Sequence, residues 1–213
     1  MIRRAALVAI LLMSTAACGS SSAASLGVTP QTVSLQPGDL PAGMVRCDLS
    51  GDIASFMDKE KSADPTTYAT VKSDWDAARG NGASSAYTAL YTDSSAHCAQ
   101  LRSNGADPGA ATYKLVVNFV FQFKDAASAT SGYSTGSFFH FSVSDLKSSG
   151  APVIEGTATG LTDNSIIRNA FLASQTVFVS IWQNQTFLVI LAILNVDSTA
   201  SQKAAVSENA RIR

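Results

Sequence analysis

Thr176-Val177-Phe178-Val179-Ser180-Ile181-Trp182 and Thr186-Phe187-Leu188-Val189-Ile190-Leu191-Ala192-Ile193-Leu194-Asn195-Val196 are two β-branched and aromatic runs, separated only by Gln183-Asn184-Gln185. Such runs are strands, and a connection this short joins them as a β-hairpin with Asn184 or Gln185 in the left-handed conformation. Residues 187–194 carry no polar side chain. Eight residues are too few to cross a bilayer as a helix. As a strand without polar/apolar alternation, they predict a sheet covered on both faces. Helices on both sides would provide that cover. Alternatively, one face lines an apolar ligand cavity or an oligomer interface.

Working outward, Tyr113 to Phe123 is another β-branched and aromatic strand, and Ile166 to Ala173 a further one. Lys124-Asp125-Ala126-Ala127 opens a small helix with Asp125 as cap and Gly132 as stop. Asp197-Ser198 caps a last helix through Ala204, Ala205, Val206 and Ile212. Upstream, residues 50–102 read as a helical half. Ile53, Phe56 and Met57 share a face of a helix starting near Ser50 or Asp52. Asp64-Pro65 is an N-cap followed by Pro at the first helical position. Tyr68, Val71, Trp75 and Ala78 then recur at helical spacing until Gly80-Asn81-Gly82. The spacing of Tyr87, Leu90 and Tyr91 predicts a third helix, and a fourth holds Cys98 and Leu101. The aromatic stripe is core rather than a cofactor box. Pro30, Pro37-Gly38 and Pro41-Ala42-Gly43 make residues 29–43 extended or looped. The fold class expected is α+β: a helical N-terminal half packed on an antiparallel sheet, with a C-terminal helix.

The first residues say where such a domain would live. Arg3-Arg4, the apolar run Ala5 to Met13, and Ser14-Thr15-Ala16-Ala17 form a secretory signal peptide over 1–17. Cys18 after Ala16-Ala17 resembles a bacterial lipobox, in which the thiol receives a diacylglycerol and the new N-terminus a further acyl chain such as palmitate. The lipobox pattern has Leu or Val where Thr15 stands. Plain secretion, with cleavage after Ala17 or Ala24, is the alternative. Residues 18–34 then hold the lipidated Cys and a flexible Gly/Ser/Ala tether, leaving 35–213 as one domain. The localisation expected is the outer face of the cell membrane.

Composition narrows the function. Taking Arg3 and Arg4 from the 15 basic residues leaves 13 against 16 acidic, a net charge of −3. That excludes the basic footprint of a nucleic-acid binder. With Cys18 used by lipid, Cys47 and Cys98 remain as an even pair, most simply a disulfide in an oxidising compartment. A metal site of Cys47, His97 and Cys98 is disfavoured by adjacent ligands and the lack of a fourth. His97 and His140 are the only histidines, and no Gly-x-Ser-x-Gly elbow accompanies them, so a Ser-His-Asp hydrolase has no support. Asp145, Glu155 and Asp163 have no spacing that pairs them, and the glycines of 132–136 and 156–160 form no phosphate cradle. Neither catalytic residues nor cofactor are expected.

Three stretches carry a resemblance. Leu35-Gln36-Pro37-Gly38-Asp39-Leu40-Pro41-Ala42-Gly43 resembles the Leu-x-x-x-Asp-Leu-Pro-x-Gly motif of exported actinobacterial-type lipoproteins. Thr159-Gly160-Leu161-Thr162-Asp163-Asn164 resembles their Gly-Leu-Gly-Asp loop, with Thr162 in place of Gly. The Trp182 hairpin and a closing helix ending Asn209-Ala210-Arg211-Ile212 are similar too. PsbP-like lipoproteins and the extracellular sensor domains of mycobacterial kinases share this pattern. The resemblance implies an α+β domain with an antiparallel sheet, no enzymatic activity and no ligand residues. The expected function is a cell-surface binding or sensor module. A structural envelope protein without small ligand, or a carrier of an apolar ligand, is the alternative. Its partners would be the membrane through the lipid, and an apolar ligand or envelope protein.

Overall fold

The hairpin lies at the centre of an antiparallel sheet. The computed structural model describes residues 27–104, 111–172 and 175–213. The signal peptide, Cys18 and the first part of the tether lie outside them. In chain order the strands are β1 (Val45–Arg46), β2 (Gly51–Asp52), β3 (Ala83–Thr92), β4 (Leu115–Phe123), β5 (Ser137–Phe138), β6 (Phe141–Ser142), β7 (Val153–Glu155), β8 (Ser165–Leu172), β9 (Gln175–Asn184) and β10 (Phe187–Leu194). The helices are α1 (Pro30–Val33), α2 (Ile53–Ala63), α3 (Pro65–Gly80), α4 (Ser95–Asn104), α5 (Ala126–Thr135), α6 (Val143–Ser148) and α7 (Ser198–Asn209). The main sheet runs β1-β3-β4-β10-β9-β8-β7, with β2 also on β3, and β5–β6 is a separate small hairpin. The fold class is α+β, as expected.

Asn184 pairs with Phe187, so the central turn is two residues, Gln185-Thr186, and Gln185 is the left-handed one (φ 51°). In β10 the side chains of Leu188, Ile190, Ala192 and Leu194 enter one apolar cluster, and those of Phe187, Val189, Leu191 and Ile193 the other. Both faces are therefore covered. The front face lies under α2, α3, α5 and α6, and the back face under residues 28–40 and α7.

Capping chemistry sets the helix starts. Asp52, Asp64, Asp125 and Asp197 each accept a backbone N–H from the first turn of α2, α3, α5 and α7. Three expectations need correcting. Tyr87, Leu90 and Tyr91 lie on β3, not on a helix: Tyr87 and Tyr91 join the back cluster and Leu90 the front one. Their helical spacing is incidental, and pairing with β4 from Ala83 to Thr92 overrides the modest strand propensity of an Ala-rich segment. Gly132 does not end α5, which runs to Thr135. It sits inside, where a Cβ would stand 2.7 Å from Phe123 Cζ, so glycine lets the helix lie close on β4. Residues 29–43 are not wholly extended, because Thr29 caps the four-residue α1 with Pro30 at its first position.

Cys47 and Cys98 form a disulfide with Cα atoms 5.2 Å apart. It ties the segment after β1 to α4 at the edge of the front cluster.

The back face is fastened by a buried polar network. Asn118 of β4 is fully buried; its Oδ1 accepts from Leu35 N (3.1 Å) and its Nδ2 donates to Glu208 Oε1 (2.9 Å). Tyr91 Oη donates to Leu35 O (2.7 Å). Arg211 donates to Val33 O, Ser34 O and both carboxylate oxygens of Asp39 at 2.8–3.1 Å. Burial pushes the Glu208 carboxyl well above its ordinary 4.5, against the opposing pull of Asn118 and Arg211.

Candidate functional site

On the front face the helices leave a cleft of about 280 Å³. Its floor is the sheet itself: Phe121 and Phe123 of β4, Ile181 of β9, Leu188 and Ile190 of β10. These positions alternate along their strands, which is why one run of apolar residues can line a cavity and fill the back core at once. One wall is α3 through Asp74, Ala77 and Ala78, with Asn81 just past its end; the other is α5 through Gly132, Tyr133 and Thr135. Small residues on both walls keep the space open. Burial, reinforced by the Glu155 carboxylate, pushes the Tyr133 phenol up to about 12, so it is a neutral hydrogen-bonding group at working pH.

The roof is the β5–β6 hairpin. Phe138 lies 4.8 Å from Phe119 and 4.6 Å from Phe121, ring centre to ring centre, in edge-on packing. Its turn is Phe139-His140, and both residues are left-handed (φ 55° and 62°). Two-residue turns of this kind favour Asn and Gly. Holding bulky residues there costs roughly 1–3 kcal/mol each. Asp74 opposes that cost by accepting Phe139 N at 2.8 Å, so the helical wall latches the roof.

The other candidate residues are dispersed. His97 is on α4, stacked on Tyr113 at 4.1 Å with its Nδ1 paired to Asp93. Among the described residues no hydroxyl is hydrogen-bonded to its ring. The i, i+4 spacing of Asp93 and His97 was the available signal for this pair. His140 stands at the roof tip, away from His97. Glu155 pairs with Lys147 at 2.5 Å, Asp145 Oδ2 accepts from Ser142 Oγ at 2.5 Å, and Asp163 is exposed. The sulfurs of Cys47 and Cys98 are bonded to each other, so neither is a free thiolate for a metal.

The resemblance motifs converge on the back face, not on the cleft. Asp39 of the first is the partner of Arg211 in the last. In the middle loop, Thr162 Oγ1 donates to Gln183 O, while Gln202 of α7 donates to Thr159 O. Their role in this chain is to hold the closing helix.

No protein-family model and no curated protein matches this chain in sequence. Among solved structures, the extracellular domain of PknH from Mycobacterium tuberculosis is similar at 12% identity and a TM-score of 0.48, over 87% of this chain and 98% of that one.

Proposed function

We propose that this protein is an exported, lipid-anchored, non-catalytic binding module whose front cleft takes an apolar ligand. The cleft carries the reading: an apolar floor, two helical walls, a strained aromatic roof and a few polar groups at the mouth are the features of a small-molecule site. The back clamp adds to it. The chain enters the domain on the face opposite the cleft, so a tether from Cys18 would leave the mouth free. No helix among the described residues is long and apolar enough to cross a membrane.

Two experiments test it. N-phenyl-1-naphthylamine, a small apolar fluorophore, should brighten on the wild type, and Ala77→Trp on the exposed rim of α3 should abolish the signal without lowering stability. Equal brightening in both would remove the cleft as the site. Expressed in a bacterium, the full chain should partition with membranes and Cys18→Ser should not.

A second reading, an interaction protein without small ligand, is favoured by Phe171. It is 82% exposed on β8, where β7 pairs only with residues 166–168. Concentration-dependent self-association lost in Phe171→Ser, together with no fluorophore binding, would favour it.

A further inference from the structure

Beside the cleft lies a second cavity of about 210 Å³, and one residue is common to the two. Phe141 of β6 lines both. Beneath it the floor is continuous, because Ile181, Val179 and Val177 succeed one another along the front face of β9. The second cavity differs in chemistry. Arg168 projects into it from β8 and His140 from the roof turn. The Arg168 Nε is buried with no hydrogen-bond partner, and none of the ion pairs among the described residues uses this side chain. Arg168 is half-buried and a guanidinium does not discharge itself by losing a proton, so an anion entering the cavity would give the buried Nε the acceptor it lacks. Asp145 lines the same cavity, but its Oδ2 already accepts from Ser142. The neighbouring Lys147 and Glu155 satisfy each other.

We propose that the two cavities form one site for a long-chain fatty acid, its hydrocarbon along the front floor and its carboxylate on Arg168, with Phe141 as the movable partition. This rests on the cleft reading above and names its ligand class. Together the two spaces reach the range, roughly 300–1,000 Å³, of small-molecule sites. The planar fork of an arginine matches a carboxylate in two hydrogen bonds. The strained Phe139-His140 turn, held by Asp74, is an element that shifts at little cost once ligand contacts replace its packing.

Calorimetric titration with palmitate, with hexadecanol (the same chain without charge) and with dipalmitoylphosphatidylglycerol tests the assignment. The wild type should bind palmitate at least about ten-fold more tightly than hexadecanol, the scale of a charge-assisted pair. Arg168→Gln should bring palmitate down to the hexadecanol affinity while leaving hexadecanol unchanged, which also shows that the variant is folded. Equal wild-type affinity for the two chains, or palmitate binding untouched by Arg168→Gln, would overturn the carboxylate assignment and leave the apolar cleft standing. Tighter binding of the phospholipid than of palmitate would overturn the free acid as ligand. Failure of both palmitate and hexadecanol to bind would overturn the cleft reading as well.

Discussion

The two faces of one sheet are built to opposite ends. At the back, Phe187, Val189, Leu191 and Ile193 meet an apolar layer crossed by the Asn118–Glu208–Leu35 bonds, and Arg211 reaches the chain's leading segment, although the buried Trp182 Nε1 and Ser180 Oγ there have no partner. At the front, Leu188 and Ile190 from the same strand face a cavity under a strained turn. A closed face can carry the stability that an open one gives up, since a cavity forfeits the packing of the atoms around it. Binding capacity here is a property of one layer, and the other layer makes it tolerable.

The contrast can be tested by substitutions that strike one face at a time. Replacing both Cys47 and Cys98 with Ser should have the largest effect, lowering the unfolding free energy by up to about 4 kcal/mol while the β9–β10 hairpin stays formed. Denaturant titration with and without reductant measures it, and thiol titration of the unfolded, non-reduced protein should find neither thiol free. Arg211→Met should cost about 3 kcal/mol, because the Asp39 carboxylate and two carbonyls lose their donor, yet fluorophore binding at the front should be unchanged. A matching loss of binding would mean the faces are coupled. Gly132→Ala should do the reverse in kind. Its methyl meets the Phe123 ring, so a cost of about 1–2 kcal/mol comes with weaker fluorophore binding as the ring is pushed into the cleft.

The smallest effect concerns pH. Burial raises the Glu208 pKa, so the folded state keeps a proton that the unfolded chain releases near 4.5. That contribution is fully present below this value and is lost as pH rises through the raised one. Asn118, Arg211, Asp39 and Tyr91 act on it. Glu208→Gln, neutral at every pH, should flatten the decline. A denaturation midpoint with the same pH profile in both proteins would place the proton elsewhere.

Much of the frame was legible because local chemistry decided it. The unbroken run 187–194 announced a strand covered on both faces, and Asp52, Asp64, Asp125 and Asp197 marked helix starts through the bonds they make. Strand β3 was hidden, since Ala86, Ala89 and the spacing of Tyr87 with Tyr91 suit a helix and only pairing with β4 decides otherwise. The cleft was hidden for a different reason. A Leu188 that lines a cavity and a Leu191 that fills a core look alike in sequence, and the walls come from elements far apart along the chain. Nor did Phe139-His140 read as a tight turn, because the pair lacks the Asn-Gly or Asp-Gly signature and Phe seldom adopts a left-handed backbone.

The bond from Arg211 to Val33 and Asp39 has a consequence in time. It joins residues 172 to 178 positions apart. Chains are made from the N-terminus, so residues 28–40 are made well before the Arg211 that binds them. Tyr91 and Asn118 also hold Leu35, but they lie 56 and 83 positions away, and such distant pairings close slowly. In pulse-labelled hydrogen exchange during refolding, the Leu35 amide should therefore gain protection after the β9–β10 amides.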